Sequence, residues 1–398
     1  MRRMKGDDKN VRRVAVRLGG GRGYDVTVGA GLLSELGATA RASLPSEARR
    51  VALVSNPRVF KLYGASAVAS LRESGFDVAH WLMRDGERFK TLRTAERALQ
   101  FLSESKIERS DAVVALGGGV VGDLAGFAAA LHLRGVAFVQ APTTLLAQID
   151  SSVGGKTGVN SRGGKNVVGV FHQPASVVVD TDTLRTLPPR ELTAGWCEAI
   201  KQGAVGDRRL YERTVKFLVA ESRGKKDGLR AGVPQDVRDE ELAAIIAAQC
   251  AFKAKIVAGD EREDLSREDA RSRRVLNFGH TVGHALEAVT KYRRFRHGEA
   301  VGYGMLAAAE ISKRLELIGE SELESMKGAL RLAGRLPRAT DLDAGEVERA
   351  LRSDKKAVGG SVRWVLLEGL GRARIVDGKE VPARVVRDSI RAALGAAL

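Results

Sequence analysis

Up to about residue 185 the chain alternates short apolar runs with segments of helical spacing. Residues 51–55, 77–83, 111–116, 136–140 and 176–181 are β-branched or apolar runs of strand length. Between them, residues 91–105 place Leu92, Ala95, Leu99 and Leu102 at helical spacing. This alternation predicts an open, mostly parallel sheet with helices on its faces. Residues 11–18 and 24–29, which flank Gly19-Gly20-Gly21, predict a hairpin before it.

After Leu187-Pro188-Pro189 the pattern changes to long helical stretches, at 190–205, 240–258, 275–289, 297–315 and 321–333. A strand pair, 362–367 and 373–376, follows Gly359-Gly360. The pattern predicts an α/β chain with a Rossmann-like, mostly parallel sheet domain at 1–187 and a mainly α-helical domain at 188–398. Residues 221–239 and 261–274 are polar and read as surface excursions.

With 398 residues, 44% hydrophobic and 29% charged, the chain has material for two sizeable cores. No apolar run reaches the ~18–20 residues of a membrane span. The start, Met1-Arg2-Arg3-Met4-Lys5, leads into no apolar stretch, so no secretory signal is expected. Cys197 and Cys250 are too few for a disulfide framework, and a reducing cytoplasm is the expected setting. The net charge of +16 raises a nucleic-acid surface as one reading. The basic residues are scattered and no zinc-finger or RNP-type motif accompanies them. An arginine-rich chain with an anionic substrate accounts for the charge, with no nucleic acid and no membrane as partner.

Four constellations carry chemistry. Gly117-Gly118-Gly119-Val120-Val121-Gly122-Asp123 follows a predicted strand and satisfies G-x-G-x-x-G, which suits a pyrophosphate at a helix N-terminus. The acid expected about 20 residues downstream is missing; Gln140 stands near that point, and Glu87 is an upstream candidate for the ribose. Residues 154–166 hold five glycines with Lys156 and Lys165, a phosphate- or polyol-binding composition. Of six histidines, His280, His284 and His297 fall within 18 residues, and His280 and His284 share a helical face as a metal pair would. Glu198 and Lys201 stand three apart in an apolar setting, where Glu198 can complete a two-histidine, one-carboxylate set with an open position.

Residues 117–127, Arg134-Gly135, 142–148, 150–157, Lys165-Asn166, 187–191, Glu198-x-x-Lys201, 276–280, 297–300 and Asp354-Lys355-Lys356 together resemble the 3-dehydroquinate synthase signature, in order from about residue 85 to 356. The resemblance implies a dehydroquinate synthase-like fold. It implies zinc (cobalt being the alternative ion) on Glu198, His280 and His297, leaving His284 to the substrate. NAD would meet Asp85, Gly86, Glu87, Lys90, Gly118, Gly119, Val120, Val121, Gly122, Asp123, Thr143, Thr144, Lys156, Lys165, Thr183, Leu184, Arg185 and Thr186. Substrate would meet Asp150, Lys156, Asn166, Lys201, Lys253, Arg273, Asn277, His284 and Lys356, with Arg134 reaching in from the partner of a homodimer. Arg273 is assigned by its distance to Asn277, in competition with Arg271 and Arg274, because residues 264–272 interrupt the family's spacing.

The implied reaction converts 3-deoxy-D-arabino-heptulosonate 7-phosphate to 3-dehydroquinate and phosphate in the shikimate pathway. Transient oxidation by NAD, phosphate elimination, reduction and an intramolecular aldol closure would follow one another. A related sugar phosphate cyclase acting on sedoheptulose 7-phosphate would keep the zinc trio but alter the carboxylate-facing positions, and Arg273, Asn277 and His284 favour the acid. A metal-dependent alcohol or glycerol phosphate dehydrogenase on this scaffold would instead release NADH stoichiometrically.

Overall fold

The computed structural model describes residues 11–161, 163–226, 235–264, 266–269, 271–358, 362–396 and 398, without side chains at 223–226, 235 and 352–358. Two compact units emerge: Met1–Leu187 with Pro234–Ala258, and Pro188–Val233 with Gly259–Leu398.

The first unit opens with strands β1 (Arg12–Arg17) and β2 (Gly23–Gly29), the antiparallel hairpin expected from the sequence. Then come α1 (Leu36–Ser43), β3 (Arg50–Ser55), the single turn α2 (Pro57–Val59), α3 (Ala65–Glu73), β4 (Asp77–Leu82), α4 (Leu92–Glu104), β5 (Ala112–Gly117), α5 (Gly119–Leu131) and β6 (Ala137–Pro142). A hairpin of β7 (Lys156–Ser161) and β8 (Gly164–Phe171) precedes β9 (Ser176–Asp180). The seven-stranded sheet has the order β1-β2-β9-β6-β5-β3-β4 and is parallel apart from the first pair.

The two-residue period of each strand feeds both faces. Val51, Leu53, Val114 and Leu116 join one core with Leu36 and Leu71 of α1 and α3. Ala52, Val54, Val113 and Ala115 join the other with Ala98 and Leu124 of α4 and α5. Because both faces are covered, β5 and β9 are buried along their whole length, β5 as a continuous apolar run and β9 as three valines between Ser176 and Asp180. Strand order reverses between β3 and β5, and such a reversal leaves a crevice at the strands' carboxyl ends where ligands of open α/β sheets bind.

After Leu187 the chain forms α6 (Pro189–Gly206), α7 (Arg208–Lys226) and α8 (Gln235–Gly259). Helix α8 returns to the first unit, which the division at 187/188 did not anticipate. Its tie to that unit is polar as well as apolar: the Cys250 thiol donates to the Gln148 carbonyl at 3.2 Å, and the Lys253 ammonium to the Asp150 carbonyl at 2.6 Å. By length and mean composition alone α8 would pass as a membrane span, but it is interrupted by Lys253 and Lys255 and mostly buried, as a core helix is. Helices α7 and α8 also occupy both ends of the segment expected to be a polar excursion, leaving 227–234 outside the described residues.

The second unit continues with α9 (His280–Val289), α10 (His297–Arg314), α11 (Glu320–Ala333) and α12 (Ala344–Val358). The hairpin β10 (Arg363–Gly369) and β11 (Arg372–Asp377), then α13 (Ala383–Leu394), complete it. The helix expected over 275–289 is broken. A short 3-10 turn, Arg273–Asn277, ends before Gly279, whose φ of 79° is left-handed, and α9 starts only at His280. A side chain at Gly279 would also lie 2.7 Å from the Met305 backbone nitrogen, so only glycine fits there. The break makes His280 the first residue of a helix instead of an interior one.

Candidate active site

In the second unit two backbone approaches and one side-chain lock fix the candidate ligand side chains. A β-carbon on Gly304 would sit 1.9 Å from the Gly279 carbonyl oxygen, so α9 and α10 meet backbone to backbone. A β-carbon on Gly298 would sit 2.0 Å from the Ala194 oxygen, so the start of α10 lies directly on α6. Glu299 then locks that start: it accepts from the Arg296 amide at 2.7 Å and from both Nε and Nη2 of Arg190 on α6, at 2.8 and 2.5 Å.

The result is a cluster of His280, His284 and His297, whose candidate ligand atoms lie within 4.8 Å of one another. Ring centroids are 5.4 Å apart for His280–His284, 5.1 Å for His280–His297 and 5.7 Å for His284–His297. Glu198 on α6 is fully buried beside them, with Oε1 3.8 Å from His297 Nε2. Its Oε2 faces the buried Lys201 ammonium, but neither oxygen accepts an aligned hydrogen bond. Oε2 has the Lys201 cation beside it, whereas Oε1 is a buried carboxylate oxygen that a further cation would satisfy.

Two of the imidazoles turn Nδ1 toward an acceptor oxygen. Nδ1 of His280 is 3.3 Å from the Phe278 carbonyl, and Nδ1 of His297 is 3.2 Å from Glu287 Oε2. Burial, with the Lys201 charge second, pushes the His280 pKa well below its ordinary value, so this ring is neutral at physiological pH, as a metal ligand must be. His284 is exposed, one turn after His280. The geometry thus gathers all three histidines, where spacing alone singled out His280 with His284. Glu287 escaped the reading of the sequence. Its signal was there: it stands seven residues after His280, on the same helical face.

Arg273 is buried, its amide donating to Asp260 Oδ2 at 2.8 Å and its Nη1 to the Glu261 carbonyl at 2.9 Å. Arg271 is exposed and Arg274 half-buried. Asn277 is exposed just before Phe278. The Lys356 side chain lies outside the described residues.

In the first unit β5 runs into Gly117, and Gly118 stands in extended conformation as the N-cap of α5. The helix opens close to its neighbours: β-carbons on Gly119 and Gly122 would meet Ser151 Oγ at 2.9 Å and Gln140 Oε1 at 2.7 Å. Gln140, found where an acid was sought, is therefore the residue α5 packs on. Val120 and Val121 follow in the first turn, and Thr143 donates its amide to the Gly117 carbonyl at 3.0 Å. The Thr144 hydroxyl accepts from the Ala147 amide at 3.2 Å.

Asp123 is paired with the buried Lys90 ammonium, which also donates to Asn166 Oδ1 at 2.5 Å. Burial outweighs Lys90 and holds the Asp123 pKa above the ordinary carboxylate value. Glu87 accepts from Asn160 Nδ2 at 2.8 Å, next to Gly86 with its φ of 106°. Asp85 accepts from Asn56 Nδ2 at 3.3 Å, across the carboxyl ends of β3 and β4. The segment 154–166, read as glycine-lysine binding loops, is for the most part the β7–β8 hairpin, with Lys156 exposed at its first position and Lys165 half-buried in β8. Thr183 and Leu184 are buried, the Thr183 hydroxyl donating to the Asp180 carbonyl at 2.7 Å. Arg185 pairs with Asp182 at 2.8 Å and Asp239 at 2.6 Å, and Thr186 bonds the Tyr63 hydroxyl. Lys253 is buried and paired with Asp150. Arg134 is exposed on a left-handed turn after α5, with φ of 63°.

Comparison with known proteins agrees across both units. Residues 80–194 match the family described as 3-dehydroquinate synthase N-terminal, and 195–357 match 3-dehydroquinate synthase C-terminal. A 3-dehydroquinate synthase of Symbiobacterium thermophilum is 45% identical over 347 residues, covering 86% of this chain and 90% of the relative. That of Nostoc punctiforme is 42% identical over 346 residues, with the same coverage of 86% and 90%. Among solved structures, the 2-epi-5-epi-valiolone synthase of Streptomyces hygroscopicus, with NAD+ and Zn2+ bound, is 26% identical. It superposes with a TM-score of 0.78 over 93% of this chain and 96% of that one. The chain belongs to the 3-dehydroquinate synthase family.

Proposed function

We propose that the chain converts 3-deoxy-D-arabino-heptulosonate 7-phosphate to 3-dehydroquinate and phosphate, using NAD and a divalent metal held by separate sets of its residues. The observation that carries the metal assignment is Oε1 of the buried Glu198, which accepts no hydrogen bond and lies 3.8 Å from His297 Nε2. Two imidazoles and a carboxylate are the donor set of a catalytic zinc with an open position. Glu198, His280 and His297 would hold zinc or cobalt, and His284, exposed beside them, would meet substrate.

For the nucleotide, Gly118, Gly119, Val120, Val121, Gly122 and Asp123 offer the first turn of α5 to a pyrophosphate. Thr143, Thr144, Lys165, Thr183, Leu184, Arg185 and Thr186, with Asp85, Gly86, Glu87 and Lys90, would line its remaining length. When bound, NAD takes up and returns a hydride while the metal acts as a Lewis acid on the substrate's oxygens.

The chain's own groups supply positioning. Arg273, its guanidinium buried and its backbone pinned by Asp260, presents a fixed planar fork suited to a carboxylate. Lys201 and Lys253 are buried, each with its Nζ beside a carboxylate, of Glu198 and of Asp150. With Lys156, Lys356, Asn166 and Asn277 they would hold the phosphate and hydroxyls and fix the reacting conformer. Arg134, exposed beyond α5, would serve the site of a second copy in a homodimer.

Phosphate release from the heptulosonate ester with NAD, repeated with His297→Ala, tests this reading. The variant is expected to lose metal and turnover together; full turnover would remove His297 from the metal set.

A further inference from the structure

Glu287 has no part in the ligand and substrate assignments above, yet it is a buried carboxylate against one of the proposed ligands. We infer that Glu287 is a positioning residue that sets the tautomer of His297 and thereby the affinity of the metal site. The inference rests on the metal reading of Glu198, His280 and His297.

An ionised carboxylate only accepts, so the 3.2 Å contact between Glu287 Oε2 and His297 Nδ1 requires the proton on Nδ1. In the neutral ring this leaves the lone pair on Nε2. That atom lies 3.8 Å from Glu198 Oε1, too far for a hydrogen bond and close for two electron-rich atoms. Such a pair is favourable only with a cation to share. Glu287 thus does for His297 what the Phe278 carbonyl, 3.3 Å from Nδ1, does for His280. The partners differ in charge, and a buried carboxylate makes the ring it holds a stronger donor than a carbonyl does.

The placement follows from helix geometry. His280, His284 and Glu287 stand at i, i+4 and i+7 on α9, which puts them along one face. Gly283, between them, lets α10 approach: a β-carbon there would lie 3.2 Å from the Val301 backbone nitrogen. Helix α9 therefore carries one proposed ligand at its first residue and, two turns on, the orienting group for a ligand on α10.

The test uses the full chain, stripped of metal and retitrated with Zn2+ against a chromophoric chelator. Glu287→Gln and Glu287→Ala are compared with wild type and with His297→Ala. Zinc affinity is expected to fall about 10- to 100-fold in the Glu287 variants, more for alanine. A second readout needs no metal: 15N spectra of the imidazoles at mildly alkaline pH. There His297 is expected as the Nδ1–H tautomer in wild type and displaced toward Nε2–H in Glu287→Ala. Should the alanine variant fold poorly, the near-isosteric glutamine carries the affinity comparison. Affinity within twofold of wild type together with an unchanged tautomer would overturn the inference. Wild type failing to bind zinc would instead remove the metal reading and leave the tautomer measurement to decide the role of Glu287.

Discussion

Gly298→Ala adds one methyl group at the point where α10 lies on α6. The new β-carbon would fall 2.0 Å from the Ala194 oxygen, 2.6 Å from its carbonyl carbon and 2.7 Å from its α-carbon. All three are backbone atoms of a buried helix, so no rotamer change relieves the contact. Carbon atoms do not approach oxygen below about 3 Å, so the start of α10 must move by about 1 Å, at a cost of about 1–3 kcal/mol. His297 is the adjacent residue and moves with it, while Glu198 stays on α6. Metal sites tolerate a few tenths of an ångström, so zinc affinity is expected to drop at least about tenfold. Turnover should fall about 100-fold, the usual penalty of a ~1 Å misplacement. Gly302→Ala, one turn along, is the control, because the nearest atoms to its β-carbon are side-chain ends, of Leu336 at 3.2 Å, Cys197 at 3.3 Å and Leu330 at 3.6 Å. Zinc competition, phosphate release and a urea midpoint on both variants give the comparison. The reasoning is refuted if Gly298→Ala binds zinc and turns over as Gly302→Ala does.

His284→Ala is expected to keep zinc affinity within about threefold while losing at least about tenfold in turnover, since three protein ligands suffice for a catalytic zinc. Loss of zinc with His284 would place it among the ligands instead. Neither cysteine is expected to react with a thiol reagent in the native chain at pH 8, and both should react in urea. Burial pushes the Cys250 thiol up to about 12 and raises Cys197 as well, so little thiolate forms. By the same linkage Cys250 contributes stability that is present below the ordinary thiol range and lost as pH climbs toward 12. An alkaline decline in the urea midpoint that Cys250→Ala reduces would bear this out.

Strands and long helices were legible because their burial follows simple periods. Residues 112–117 and 177–179 are apolar throughout since both faces of the sheet are covered, and α4 shows its buried face as Ala95, Ala98 and Leu102. The break before His280 was hidden because Gly279 is demanded by contacts with Val301 and Met305, 22 and more residues away in sequence. The β7–β8 hairpin was masked by its glycines. Gly158 and Gly169 face each other in the ladder, and each β-carbon would strike the opposite strand's backbone, at 2.7 and 2.4 Å. The return of α8 to the first unit could not be read from a chain that is contiguous in sequence. The proposed ligands come from the family signature; the place of Glu287 on the His280 face was readable from its spacing, but which imidazole it touches needed coordinates.

Phosphate release from 3-deoxy-D-arabino-heptulosonate 7-phosphate, with NAD substoichiometric to substrate and absorbance followed at 340 nm as a roughly simultaneous readout of NADH, tests the central claim most directly. The account predicts many turnovers of phosphate per NAD, no accumulating NADH, and loss of phosphate release on chelation. Stoichiometric NADH would indicate a dehydrogenase, and phosphate release from sedoheptulose 7-phosphate alone would indicate a different cyclase. Either result would contradict the account.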